Sequence, residues 1–197
     1  MLNTLLLGTG AIVGIVVGAV AILLLIFAIW WICARNKLMR LTTAVDEAWS
    51  TIDIFLKKRY DLIPNLVETV KGYAKHESET MSAVIKARQV AIVATGNDKI
   101  EAEKALTASL NRFLTATRED YPDLKANANF MSLQNQLTDI EGEIERSRRY
   151  FNGTVKEYNT YLVLFPSCIV ARKMKLEKRN FFELDSIEER KNVKVSF

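Results

Sequence analysis

The chain has 197 residues, with 27 Lys and Arg against 23 Asp and Glu, a single His and two Cys. Two distant cysteines give no disulfide framework and no paired metal-ligand spacing, and a lone histidine rules out motifs that need two. The small positive excess gathers in two clusters, Arg35/Lys37/Arg40 and Arg172/Lys173/Lys175/Lys178/Arg179. Both suit anionic lipid headgroups, and no nucleic-acid recognition motif accompanies them.

The first 34 residues carry no Asp, Glu, Lys, Arg or His. The apolar run from Leu5 to Cys33 exceeds the roughly 20 residues that carry a helix across a ~30 Å hydrocarbon layer. Residues 1–36 therefore read as a single transmembrane anchor. A cleaved signal peptide would need a basic start, a shorter apolar core and a small-x-small cleavage site. Trp31 and Ile32 before Cys33 argue against a lipoprotein cysteine. Arg35, Lys37 and Arg40 set the membrane exit, and Trp30 and Trp31 fall where an interfacial aromatic belt belongs. The positive-inside rule then puts the N-terminus outside and the body in the cytoplasm of a bacterial inner membrane. Gly10, Gly14 and Gly18, continued by Ala21 and Ala28, form a small-residue stripe that lets a neighbouring helix approach closely in lipid, so self-association through this face is expected. Gly8 and Gly10 imitate the start of a dinucleotide loop, but Val13 stands where its third glycine belongs.

Residues 37–166 read as an elongated antiparallel bundle of about four helices, long and kinked. Apolar residues recur at helical spacing from Leu38 to Tyr73, through Leu41, Val45, Ile52, Leu56, Ile63, Leu66 and Val70. No strong breaker separates this pattern from the anchor. Pro64 removes one backbone donor and predicts a kink near Asp61 to Pro64. A second helix, about Glu77 to Ala94, stops at the turn Thr95-Gly96-Asn97-Asp98. Asp98 is placed to cap a third helix, Lys99 to Thr117, that buries Ile100, Leu106, Leu110, Phe113 and Leu114. Asp120 is available as the next cap. From Pro122 a continuous helix is expected to Phe165, with a near-heptad seam from Ala126 and Phe130 through Leu137, Ile144, Phe151, Tyr158 and Leu162 to Phe165. Pro166 ends it. Residues 167–197 read as a basic and aromatic tail on or near the bundle, partly ordered, with one short extended segment around Val193, Val195 and Phe197.

The stretch AWSTIDIFLKKRYDLIPNLVETVKGYAKHE, Ala48 to Glu77, closely resembles the most characteristic segment of the LemA family. YPDLKANANFMSLQNQL, Tyr121 to Leu137, agrees, as do Arg148, Arg149, Asn152, Val155, Tyr158, Asn159, Phe165 and Pro166. The resemblance runs from about Leu38 to the end. This sequence departs from the family pattern at Tyr150-Phe151, whose order is reversed, at Gly142, where Asn is common, and near Lys175-Leu176, where the family often has Gly-Phe. The resemblance implies a bacterial single-pass membrane protein with an antiparallel helical bundle, and brings no mechanism with it.

The residues themselves predict no catalytic, cofactor or metal site. His76 has only the adjoining Glu77 to orient it. Asp46, Asp53, Asp61 and Glu68 recur along one helix, but a carboxylate-bridged di-iron site needs two Glu-x-x-His motifs besides, so they read as a solvated face. Neither a phosphate-binding glycine loop with its lysine nor a zinc-protease motif is present. Asp61, Pro64 and Asn65, preceded by Lys57, Lys58 and Arg59, read as a structural hinge, with a docking surface as the alternative. Asn152, Tyr158 and Asn159 are expected to satisfy hydrogen bonds between packed helices. The expected function is a non-enzymatic membrane scaffold that contacts lipid, forms homo-oligomers and organises or shapes the membrane. The alternative is a membrane-tethered adaptor recruiting a cytoplasmic protein in signalling or envelope stress.

Overall fold

A computed structural model describes residues 2–73 and 79–182, with the side chains of residues 2–12, 97 and 125 left aside. The described residues are all-α: α1 spans Leu2–Lys71, α2 Glu79–Val93, α3 Gly96–Asp120, α4 Ala128–Val163 and α5 Ser167–Lys173, with a 3-10 turn at Pro122–Ala126. They divide into two compact units. One holds Met1–Asp46 with Thr154–Arg179; the other holds Glu47–Gly153 with Asn180–Phe197. His76, Glu77 and the segment from Val193 to Phe197 lie outside the described residues.

In the second unit α1 buries Ala48, Ile52, Leu56, Ile63, Leu66 and Val70, the helical face that its spacing predicts. Helix α1 continues through Pro64 to Lys71. Proline has no N–H to give the carbonyl four residues back, that of Tyr60. Arg88 of α2 supplies the missing donor, its Nε lying 2.7 Å from that oxygen. The α2–α3 connection is short, with Gly96 at φ +58°, a left-handed conformation that glycine adopts without a Cβ penalty.

Two caps and one helix start differ from expectation. Asp98 lies inside the first turn of α3, and Thr95 holds the cap position without a side-chain bond. Asp120 is the last residue of α3 rather than a cap. The helix expected from Pro122 to Phe165 is interrupted, because Asn127 adopts an extended backbone and its Oδ1 accepts from the Phe130 N–H at 2.9 Å. Asparagine offers the helix start a better acceptor than continued helix would, so α4 begins at Ala128.

Helix α4 buries Phe130, Leu137, Ile144, Phe151, Val155, Tyr158 and Leu162, but the seam stops there, for Phe165 is 81% exposed. The Phe165–Pro166 bond is cis. Ser167 Oγ lies 2.7 Å from the Tyr161 carbonyl and 2.9 Å from that of Leu164, its one proton serving either. The chain then forms α5, within the segment expected to be a partly ordered tail. After α5 the Leu176 N–H returns to the Ala171 carbonyl and that of Lys175 to Arg172, each at 3.1 Å, with Lys175 at φ 54°. This is a left-handed helix stop, at the place where the family often has glycine.

Candidate functional site

In the first unit the apolar part of α1 has no cover. Large apolar side chains from Val13 to Ile29 stand 49–73% exposed, on a helix long and apolar enough to cross a membrane. A Cβ built on Gly14 or Gly18 would meet nothing within 4 Å. Ala21 is exposed, and Gly10 lies in the helix where side chains are not described. The rings of Phe27, Trp30 and Trp31 cluster, with Trp30 and Trp31 edge-to-face at 6.3 Å. Arg35, Lys37 and Arg40 are exposed beyond them, and Lys37 pairs with Glu157 of α4 at 2.8 Å. Arg172, Lys173, Lys175, Lys178 and Arg179 are also exposed. The Arg179 guanidinium reaches Asp46 at 3.4 Å.

The second unit contains what the apolar pattern conceals: a buried ionic cluster. Arg59 is 2% exposed, Glu103 1% and Lys99 8%. One carboxylate oxygen of Glu103 accepts from Arg59 Nη2 and the other from the Tyr60 hydroxyl. Lys99 Nζ donates to the Tyr60 oxygen at 2.9 Å and to the Ala91 carbonyl at 2.7 Å. Arg59 Nη1 reaches Glu141 of α4 at 2.7 Å and Thr107 at 3.1 Å. Two cations thus meet two carboxylates, so the cluster is neutral and ties α1, α2, α3 and α4 together. Burial first, and then the hydrogen bond to Glu103, push the Tyr60 hydroxyl far above its ordinary value. It holds its proton and donates it to Glu103. Partial burial raises the Asp53 carboxyl, with the Lys99 charge opposing.

A cleft of about 280 Å³ opens beside this cluster, lined by Leu56, Arg59, Glu103, Glu141, Arg148 and Phe182 among others. Arg59 Nε, at its edge, is buried without a hydrogen-bond partner. Around it Tyr60, Lys99, Glu103, Thr107 and Glu141 are engaged with the cluster's own groups, an arrangement suited to holding helices in register.

Of the three cations that precede the hinge, Lys57 and Lys58 are exposed and Arg59 is inside. Its position follows the buried series Ile52, Leu56, Ile63, and Glu103 precedes Leu106 and Leu110 by the same spacing, so register was the available signal. Asp61, Pro64 and Asn65 are exposed. The carbonyl freed by Pro64 goes to Arg88, and the Asn65 carbonyl accepts the Thr69 hydroxyl. Asp46, Asp53, Asp61 and Glu68 are exposed along α1.

The polar residues of α4 bond to an extended segment, not to a packed helix. In the first unit Asn159 exchanges two hydrogen bonds with the Arg179 backbone, and Tyr158 donates to the Glu177 carbonyl at 2.9 Å. In the second, Asn152 makes the same two-point exchange with Phe182. Phe182 is 1% exposed, its ring 5.6 Å from Trp49 and 5.0 Å from the Arg148 guanidinium.

The LemA family model matches residues 48–197. The chain belongs to the LemA family. It is also 26% identical over 170 residues to "Protein LemA" of Metamycoplasma hominis, covering 83% of this chain and 75% of that one. The family match contains Arg59, Lys99, Glu103 and Glu141, and the two asparagine clamps. In this LemA-family chain the uncovered apolar run lies before the matched residues.

Proposed function

We propose that this LemA-family protein is a single-pass, membrane-anchored scaffold without catalytic activity. It homo-oligomerises through the Gly10/Gly14/Gly18/Ala21 face and organises the bilayer around it. Arg35, Lys37 and Arg40 keep the body on the cytoplasmic side of a bacterial inner membrane. The observation that carries this reading is the surface of α1 from Val13 to Ile29, apolar, uncharged and uncovered, with open space over Gly14 and Gly18. Such a surface is stable in hydrocarbon, and a glycine face there brings helix backbones into contact. The neutral, internally engaged cluster around Arg59 supports an architectural role for the second unit.

The test is the mass of the detergent-extracted protein. The wild type is expected to run as an oligomer, and Gly14→Leu with Gly18→Leu as a smaller species; a monomeric wild type overturns the scaffold. Crosslinking in cells that returns one stoichiometric heterologous partner, with no self-contacts, points instead to an adaptor.

A further inference from the structure

The turn between α4 and α5 carries a second uncovered apolar patch. Val163 is 56% exposed, Leu164 52%, Phe165 81% and Ile169 47%, although Leu162 and Val170 beside them are buried. Four large apolar side chains outside the core within seven residues are more than scattered surface hydrophobes.

Their position within the first unit identifies what covers them. Helix α1 leaves this unit at Asp46 and α4 enters it at Thr154, and Lys37 meets Glu157 three residues into the share of α4. Helix α4 therefore climbs towards the apolar end of α1, and with about 1.5 Å of rise per residue on both helices its turn, which begins beyond Val163, reaches the level of Trp30 and Trp31. Burial agrees. Along α1 the side chains from Val13 to Ile29 are exposed, Trp30 and Trp31 are half-buried, and Ala34 is buried. The partner segment of the unit, Thr154–Arg179, begins to cover α1 there. The patch thus lies beside the point where the anchor passes from apolar to charged. On its far side α5 ends in the exposed pair Arg172 and Lys173.

We propose that Val163, Leu164, Phe165 and Ile169 form a monotopic wedge that enters the headgroup and acyl boundary of the leaflet through which the anchor exits, with Arg172 and Lys173 on anionic lipid phosphates. The inference rests on the reading of α1 as a membrane anchor. An apolar tip flanked by cations matches that boundary in chemistry, and it is continuous in level with the aromatic belt of the anchor. The wedge gives the anchor a lateral foot, through which this unit displaces lipid in one leaflet.

The experiment uses the full chain with Cys33→Ser and Cys168→Ser, in vesicles of phosphatidylethanolamine and phosphatidylglycerol containing spin-labelled acyl chains. An environment-sensitive fluorophore is placed in turn at Leu24→Cys, Phe165→Cys and Lys156→Cys, the last an exposed site of α4 in the same unit. Strong quenching is expected at 24, shallow quenching at 165 that exceeds the signal at 156 several-fold, and little at 156. Quenching at 24 with none at 165 overturns the wedge and leaves the anchor intact. No quenching at 24 overturns the anchor. As a second arm, Leu164→Glu with Phe165→Glu is expected to abolish quenching of a label at Ile169→Cys while that at 24 persists; undiminished quenching at 169 counts against the wedge.

Discussion

Two stretches of α1 solve opposite problems with the same backbone. From Val13 to Ile29 the large apolar side chains face outwards and no charge occurs. From Ala48 to Val70 the apolar series Ala48, Ile52, Leu56, Ile63, Leu66 and Val70 faces inwards, and a guanidinium goes in with it. In hydrocarbon, where the proposed anchor places the first stretch, an apolar side chain gains nothing by hiding and a charge has no partner. In water the apolar face must be covered, and Arg59 can be buried because Glu103 and Glu141 receive it. The surroundings, rather than the helix, decide which side chains are inside.

The largest test of this contrast lies at Arg59. Arg59→Met is expected to destabilise the second unit by about 3–5 kcal/mol in denaturant unfolding, because the buried Glu103 carboxylate loses its guanidinium partner and keeps only Tyr60 and Lys99. Adding Glu103→Leu should recover only part of the loss, because it takes the carboxylate from Tyr60 and Lys99 as well, and a single variant as stable as wild type would break the contrast at its inner side. At the outer side, Leu24→Arg should oppose membrane insertion by about 2.5–3.5 kcal/mol, read as protein released by alkaline extraction, with no change in the unfolding of the body. Next comes the proline in the inner stretch. Arg88→Met should cost about 1.5–3 kcal/mol, as a charged donor to a buried carbonyl is lost. The cost should shrink in a Pro64→Ala background, where the alanine N–H can serve the Tyr60 oxygen.

The smallest effect is a pH slope. Tyr60 is raised above its ordinary value in the folded state, so its contribution is fully present below the unfolded pKa of about 10 and is lost as pH rises towards the folded value. Stability should fall by up to about 1.4 kcal/mol per pH unit above that point, and the difference between wild type and Tyr60→Phe isolates this residue from the other tyrosines.

Periodicity made the buried faces of α1 and α4 legible, because Leu38, Ile52, Phe130, Leu137 and Tyr158 recur at helical spacing. It failed where one polar group overrides a helical run, as Asn127 does, and where a charge occupies a core position. Arg59 sits in a run of three cations that reads as surface, and only the partners brought by α3 and α4, distant in sequence, make its burial possible. Helix α5 was hidden by Pro166, a residue that ends one helix and here immediately precedes another. The Lys175-Leu176 departure from the family pattern was visible in the sequence, but its meaning was not: the lysine holds a left-handed backbone angle for which glycine is better suited.

Phe182 follows every described helix yet fills the interior beside Trp49, fixed by both ends of the Asn152 amide. On a ribosome, where amino-terminal parts emerge first, the second unit stays incomplete until this ring is made. This core piece arrives from beyond the described helices, so a nascent chain halted after α4 would present an open socket to whatever chaperone or sister chain stands nearest.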